Sequence, residues 1–178
     1  MAYRLNVIKA AFVERRLRLL FLIALFLIGS VVAAFATRVP RLHGTDTWQT
    51  VAHAERVVVH RLDPGRFFKN RFRLEGSTVG MPVVPGPRWR RRLQSALAAP
   101  WHYPPDMRKR CAVRPGVSVR FYRDRRVAEA LFCFECSMLS IAAPEGRRRW
   151  VDFDPMRPRL VNLIQEVFPQ DPDIQALR

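Results

Sequence analysis

The chain holds 178 residues, with 31 lysines and arginines against 15 aspartates and glutamates, a formal charge of +16 and a pI near 11.5. Apolar residues at 49% and aromatic residues at 11% exclude a wholly disordered chain and suffice for one hydrophobic core. The charge points to an anionic partner (a lipid headgroup, a cell-wall polymer or an acidic protein), although only Lys9, Lys69 and Lys109 are lysine, an arginine bias that a GC-rich genome would impose on any solvated surface.

Residues 19–36 (LLFLIALFLIGSVVAAFA) carry no charge. As a helix rising 1.5 Å per residue they span about 27 Å, close to the hydrocarbon core of a bilayer. Arg15, Arg16 and Arg18 stand immediately before this run, with Arg4 and Lys9 further back. The positive-inside bias then holds the N-terminus in the cytoplasm and sends the rest across an inner membrane. Residues 1–18 read as a basic cytoplasmic region, 19–36 as a transmembrane signal anchor, 37–46 as a linker, and 47–178 as one basic periplasmic domain. Ala34-Phe35-Ala36 also fits the small-x-small pattern of signal peptidase, which would release a secreted protein from Thr37. The length of the apolar run and of the charged region before it favours retention. No cysteine follows the run, so lipoprotein processing is excluded.

Beyond the linker, Asp46 or Thr47 can cap a short helix through Glu55, and residues 56–60 (RVVVH) read as a strand. Asp63-Pro64-Gly65 signals a turn, with strands expected near Phe72–Leu74 and Thr78–Val84. In residues 88–98 (RWRRRLQSALA), Trp89, Leu93 and Leu97 recur every four positions on one helical face, and the opposite face takes the arginines. Val117, Val119 and Phe121 alternate with Ser118, Arg120 and Tyr122. A tight turn at Arg123–Arg126 leads into a long apolar return over Val127–Leu139, and Pro144-Glu145-Gly146 turns toward Trp150, Val151 and Phe153. This predicts a three-stranded antiparallel meander. From Pro155 an amphipathic helix carries Leu160, Leu163, Ile164, Val167 and Phe168, and Asp171–Leu177 adds a last turn. Strands segregated from helices predict an α+β domain with two amphipathic helices.

The three cysteines are Cys111, Cys133 and Cys136. Structural zinc takes four ligands, and a thioredoxin-like pair opens a helix, whereas LFCFECSML continues a strand pattern. A disulfide from Cys111 to Cys133 or Cys136, with the third thiol buried, suits an oxidising compartment. No metal or cofactor is expected. Ser77 and Thr78 lack the Gly-Lys-Ser/Thr of a phosphate loop, and no Gly-x-Ser-x-Gly occurs. His53 and His60 read as surface or capping residues, and Asp152 and Asp154 as caps of the following helix. A basic surface is expected at Arg88, Arg90, Arg91, Arg92, Arg108, Lys109, Arg110, Arg147, Arg148 and Arg149. Trp89, Trp101 and Trp150 stand close to these clusters, in the core or at a lipid headgroup layer.

The run Cys111-Ala-Val-Arg-Pro115-Gly116-Val-Ser-Val-Arg120-Phe121, followed by Leu131-Phe-Cys133-Phe-Glu-Cys136, resembles a group of uncharacterised bacterial exported or membrane proteins. The ending from Phe168 to Leu177 is similar too, so the likeness covers roughly residues 100–178. It implies that the three cysteines form one structural unit, and it implies no activity and no site residue. The expectation is therefore a membrane-anchored extracytoplasmic binding or interaction module. A metal- or thiol-dependent enzyme centred on the cysteines is the alternative, and a nucleic-acid or anionic-lipid binder a further one, the nucleic-acid reading requiring the opposite topology.

Overall fold

A computed structural model describes residues 2–70, 73–104 and 109–178, with the side chains of residues 2–17, 19, 35 and 36 outside the description. Two compact units make up the chain, Met1–Arg38 and Val39–Arg178. The first consists of most of helix α1, Ala2–His43. Its stretch Leu20–His43 is 24 residues long with a mean hydropathy of 2.6, long and apolar enough to cross a membrane. Ser30, the one hydroxyl within the apolar run, donates to the Phe26 carbonyl at 2.8 Å. That bond within the helix removes most of the cost of placing a hydroxyl in hydrocarbon.

The second unit is α+β. Six antiparallel strands form one sheet: β1 Arg56–Leu62, β2 Thr78–Val83, β3 Val117–Arg123, β4 Arg126–Cys133, β5 Met138–Ala142 and β6 Val151–Asp152. Their spatial order is β2-β1-β3-β4-β5-β6. Around them stand α2 Thr45–Ala52, α3 Pro64–Lys69, α4 Pro87–Ala98, α5 Arg157–Val167 and α6 Pro172–Gln175. One face of the sheet carries Val57, Val59, Val117, Val119, Phe121, Ala128, Ala130, Phe132, Leu139 and Ile141, all buried. Trp48 and Val51 of α2, Trp89, Leu93 and Leu97 of α4, and Leu160, Leu163 and Ile164 of α5 close the core over that face. The four-residue spacing read in α4 and the apolar stripe of α5 are therefore the buried faces of those helices. Trp89 keeps its indole satisfied there by donating to the Leu163 carbonyl at 2.8 Å.

The structure departs from the sequence reading at four places. Residues 37–46 are not a linker: α1 continues to His43, whose side chain is buried with Val39 inside the second unit. Gly44, at φ +85°, ends that helix in a conformation side chains resist, and α2 begins at once. Asp63-Pro64-Gly65 opens α3, with the Asp63 carboxylate accepting from the amides of Gly65 and Arg66. The expected return over Val127–Leu139 is two strands, because the chain turns between Cys133 and Met138 with Ser137 at φ +50°. The meander thus has four strands, and β1 and β2 extend it. The fourth departure is the segment Phe72–Leu74, of which Phe72 lies outside the described residues and Leu74 is in no strand.

β2 forms one edge of the sheet. Val79, Met81 and Val84 are exposed there, Met81 at 86%. Gly80 sits at φ +68° and Pro82 follows two positions on.

Candidate functional site

The face of the sheet opposite α2, α4 and α5 has a different character. Its small apolar patch joins Leu62, Phe67 of α3, Leu74 and Leu131, with Trp150 packed against it. Beside the patch lies a polar cluster on β3 and β4. Arg120 and Glu129 are paired directly across these strands. Glu129 is almost wholly buried, with 2% of its side chain exposed. One carboxylate oxygen accepts from Ser118 Oγ and from Arg120 Nε, each at 3.1 Å. The other accepts from Arg148 Nη2, which also donates to the Pro144 carbonyl. A buried carboxylate needs such partners, because an unpaired ion in a low-dielectric interior is costly.

Above the cluster opens a cleft of about 730 Å³, with Arg73, Glu75 and Glu145 at its rim and Leu74 and Trp150 as its apolar wall. The rim charges are exposed. Arg120 keeps Nη1 and Nη2 out of any hydrogen bond among the described residues while its Nε is tied to Glu129. His60 on β1 opposes Ser118 and stays half-buried. Burial first, then the positive charge of Arg120, lowers its pKa from the usual imidazole value, against the pull of Glu129.

The predicted cysteine unit lies elsewhere. Cys111 and Cys136 are bonded, with their Cα atoms 6.3 Å apart, and Cys133 is buried and free. The Cys133 sulfur accepts the Arg114 amide at 3.3 Å. Because Cys136 sits in the turn after β4, the Cys-x-x-Cys spans a strand end and a bend and is not one continuous strand. Lys109 straps this turn down: it donates to the Cys136 carbonyl at 3.0 Å and pairs with Asp152 and Asp154, each at 2.7 Å. Among the described residues no three of His, Cys, Asp and Glu gather where they could hold a metal ion.

The basic residues named from the sequence scatter. Arg88, Arg91, Arg110, Arg147 and Arg149 are exposed, and Arg108 lies outside the described residues. Arg90 donates to the Glu55 carbonyl, and Arg92 makes a two-pronged pair with Glu166 at 2.7 and 2.8 Å. Arg148 departs from the surface reading, being only 12% exposed and turned inward onto Glu129. Lys109, at 22%, is likewise committed to its two aspartates. Trp89 is core, Trp150 half-buried at the cleft, and Trp101 exposed. Asp152 and Asp154 serve Lys109, and neither side chain caps α5.

Arg120 and Glu129 were missed as site residues by the sequence reading. The signal was a lone glutamate inside an apolar strand run. No family model matches this chain, and neither a curated protein nor a solved structure matches it. The reading of function therefore rests on the geometry alone.

Proposed function

We infer that this chain is a membrane-tethered, extracytoplasmic binding module whose ligand surface is the helix-free face of the sheet. The observation that carries the reading is the cleft on that face, floored by the buried Glu129 with its two arginines and walled by Trp150. Charged groups fixed by hydrogen bonds beside an aromatic side chain suit a small polar or charged ligand. On the other face α2, α4 and α5 pack their apolar side chains against the sheet. The uncharged run at residues 19–36 of α1 supplies the tether, and the Cys111–Cys136 bond suits an oxidising compartment. Arg15, Arg16 and Arg18 before the apolar run support a cytoplasmic N-terminus and, with it, a periplasmic domain at an inner membrane. Thiol catalysis is the weaker reading, since two cysteines are bonded and Cys133 is buried.

The compartment is tested by fusing alkaline phosphatase or β-galactosidase after Arg178 of the full chain. The phosphatase fusion is expected to be active and the galactosidase fusion inactive. The reverse pattern would put the domain in the cytoplasm and end this reading of its address.

A further inference from the structure

The cleft over Glu129 has an uneven charge distribution. Two guanidinium groups on its floor, Arg120 and Arg148, share one carboxylate, Glu129, so the buried layer carries a surplus positive charge. At the rim the order reverses, with Glu75 and Glu145 against Arg73. Arg120 is fixed by its Nε bond to Glu129, which leaves its two terminal nitrogens as a preset fork for a second carboxylate. Arg148 Nη1 is buried and meets no acceptor among the described residues, a second unfilled donor on the same floor. Trp150 and Leu74 give the cleft its apolar lining.

From this polarity we propose that the cleft binds a zwitterion, an amino acid or short peptide, with its carboxylate on the Arg120 fork and its ammonium at Glu75 and Glu145. The surplus floor charge asks for one negative charge, and the rim carboxylates repel a dianion such as phosphate. A volume of about 730 Å³ accommodates one to a few residues, the side chain lying along Trp150. This rests on the helix-free face being the ligand surface, and it names the ligand class.

The test is calorimetric titration of the purified full-length chain in a neutral detergent. The probes are phenylalanine, N-acetylphenylalanine, phenylalaninamide and inorganic phosphate. Phenylalanine is expected to bind at least about tenfold more tightly than either singly charged derivative and than phosphate. Arg120→Gln, which leaves Glu129 still paired with Arg148 and Ser118, is expected to reduce phenylalanine affinity at least about tenfold. The exposed double variant Glu75→Gln/Glu145→Gln is expected to weaken phenylalanine while N-acetylphenylalanine, freed from the rim repulsion, binds as well as before or better. It keeps the test alive if Arg120→Gln fails to fold. Arg159→Gln on α5, on the other side of the sheet, serves as the control.

Equal affinity for phosphate, or no heat with phenylalanine at about 10 mM, would overturn the proposal. The titration uses purified protein, so it fails or succeeds independently of the reporter fusions. If N-acetylphenylalanine alone bound, the zwitterion would be wrong while the helix-free face stood as a binding surface.

Discussion

Lys109 shows how a single side chain closes a region. Its ammonium joins the turn holding Cys136 to Asp152 and Asp154, and Asp152 is only 1% exposed. Replacing Lys109 by methionine leaves that buried carboxylate without a counter-ion, so a loss of about 3 kcal/mol is expected, seen as a lower urea midpoint at unchanged slope. The hydrogen bond from Lys109, then that from Ser137, holds the Asp154 carboxyl below its usual range. Burial opposes the charge of Lys109, yet its bonds to Asp152 and Asp154 prevail and its pKa is raised. The Asp154 contribution is thus present above the ordinary carboxylate pKa of about 4 and fades as pH falls through the lower folded value. The Lys109 contribution is full below its ordinary pKa of about 10.4 and fades as pH rises through the raised one. The gap in melting temperature between the native chain and Lys109→Met is accordingly widest near neutral pH and narrows toward acid, where the unpaired Asp152 of the variant takes up a proton, and toward base, where Lys109 loses one. A gap independent of pH down to about pH 2 would mean that the ion pairs do not carry it. The Arg120–Glu129 pair could also have been read without a structure. A two-residue turn at Asp124 and Arg125 pairs residues equidistant from it, and that sets Arg120 opposite Glu129. Arg148 could not be read this way, because it arrives from a loop whose path no local rule fixes.

Among the elements, those with a clean period were legible. The stripes of α4 and α5 and the alternation of β3 follow from the spacing of their apolar side chains, which a core on one side demands. What escaped were breaks inside apolar runs. Hydrophobicity stays high from β4 through β5, so only the backbone at Ser137 marks the turn between them. Likewise Pro40 and Gly44 look like breakers, yet only Gly44 ends α1, and the Val39 and His43 pairing at helical spacing was hidden behind eighteen uncharged residues. The Cys111–Cys136 bond joins the segment before β3 to the turn after β4, a separation of 25 residues. Replacing both cysteines by serine is expected to cost about 3 kcal/mol in the chain-entropy model, read from urea unfolding. Alkylation of the denatured native chain should label Cys133 alone without reductant and all three thiols with it. Three labelled thiols without reductant would remove the bond.

At the scale of the whole molecule, a six-stranded sheet in an open order leaves two outer strands, and they are guarded differently. β6 is two residues long, too short to recruit a neighbour. β2 has six residues and shows Val79 and Met81 to solvent, which on composition alone invites another chain to continue the sheet. Two backbone features obstruct that: Gly80 takes a left-handed conformation that throws the strand out of line, and Pro82 has no amide hydrogen to offer an incoming partner. Gly80→Val with Pro82→Thr would straighten the strand and restore its donor. Purified at the same concentration, this variant should polymerise and scatter light while the native chain stays clear. An outer strand that cannot pass its hydrogen-bond ladder to a neighbour is a dead end for growth, and Gly80 with Pro82 makes β2 one.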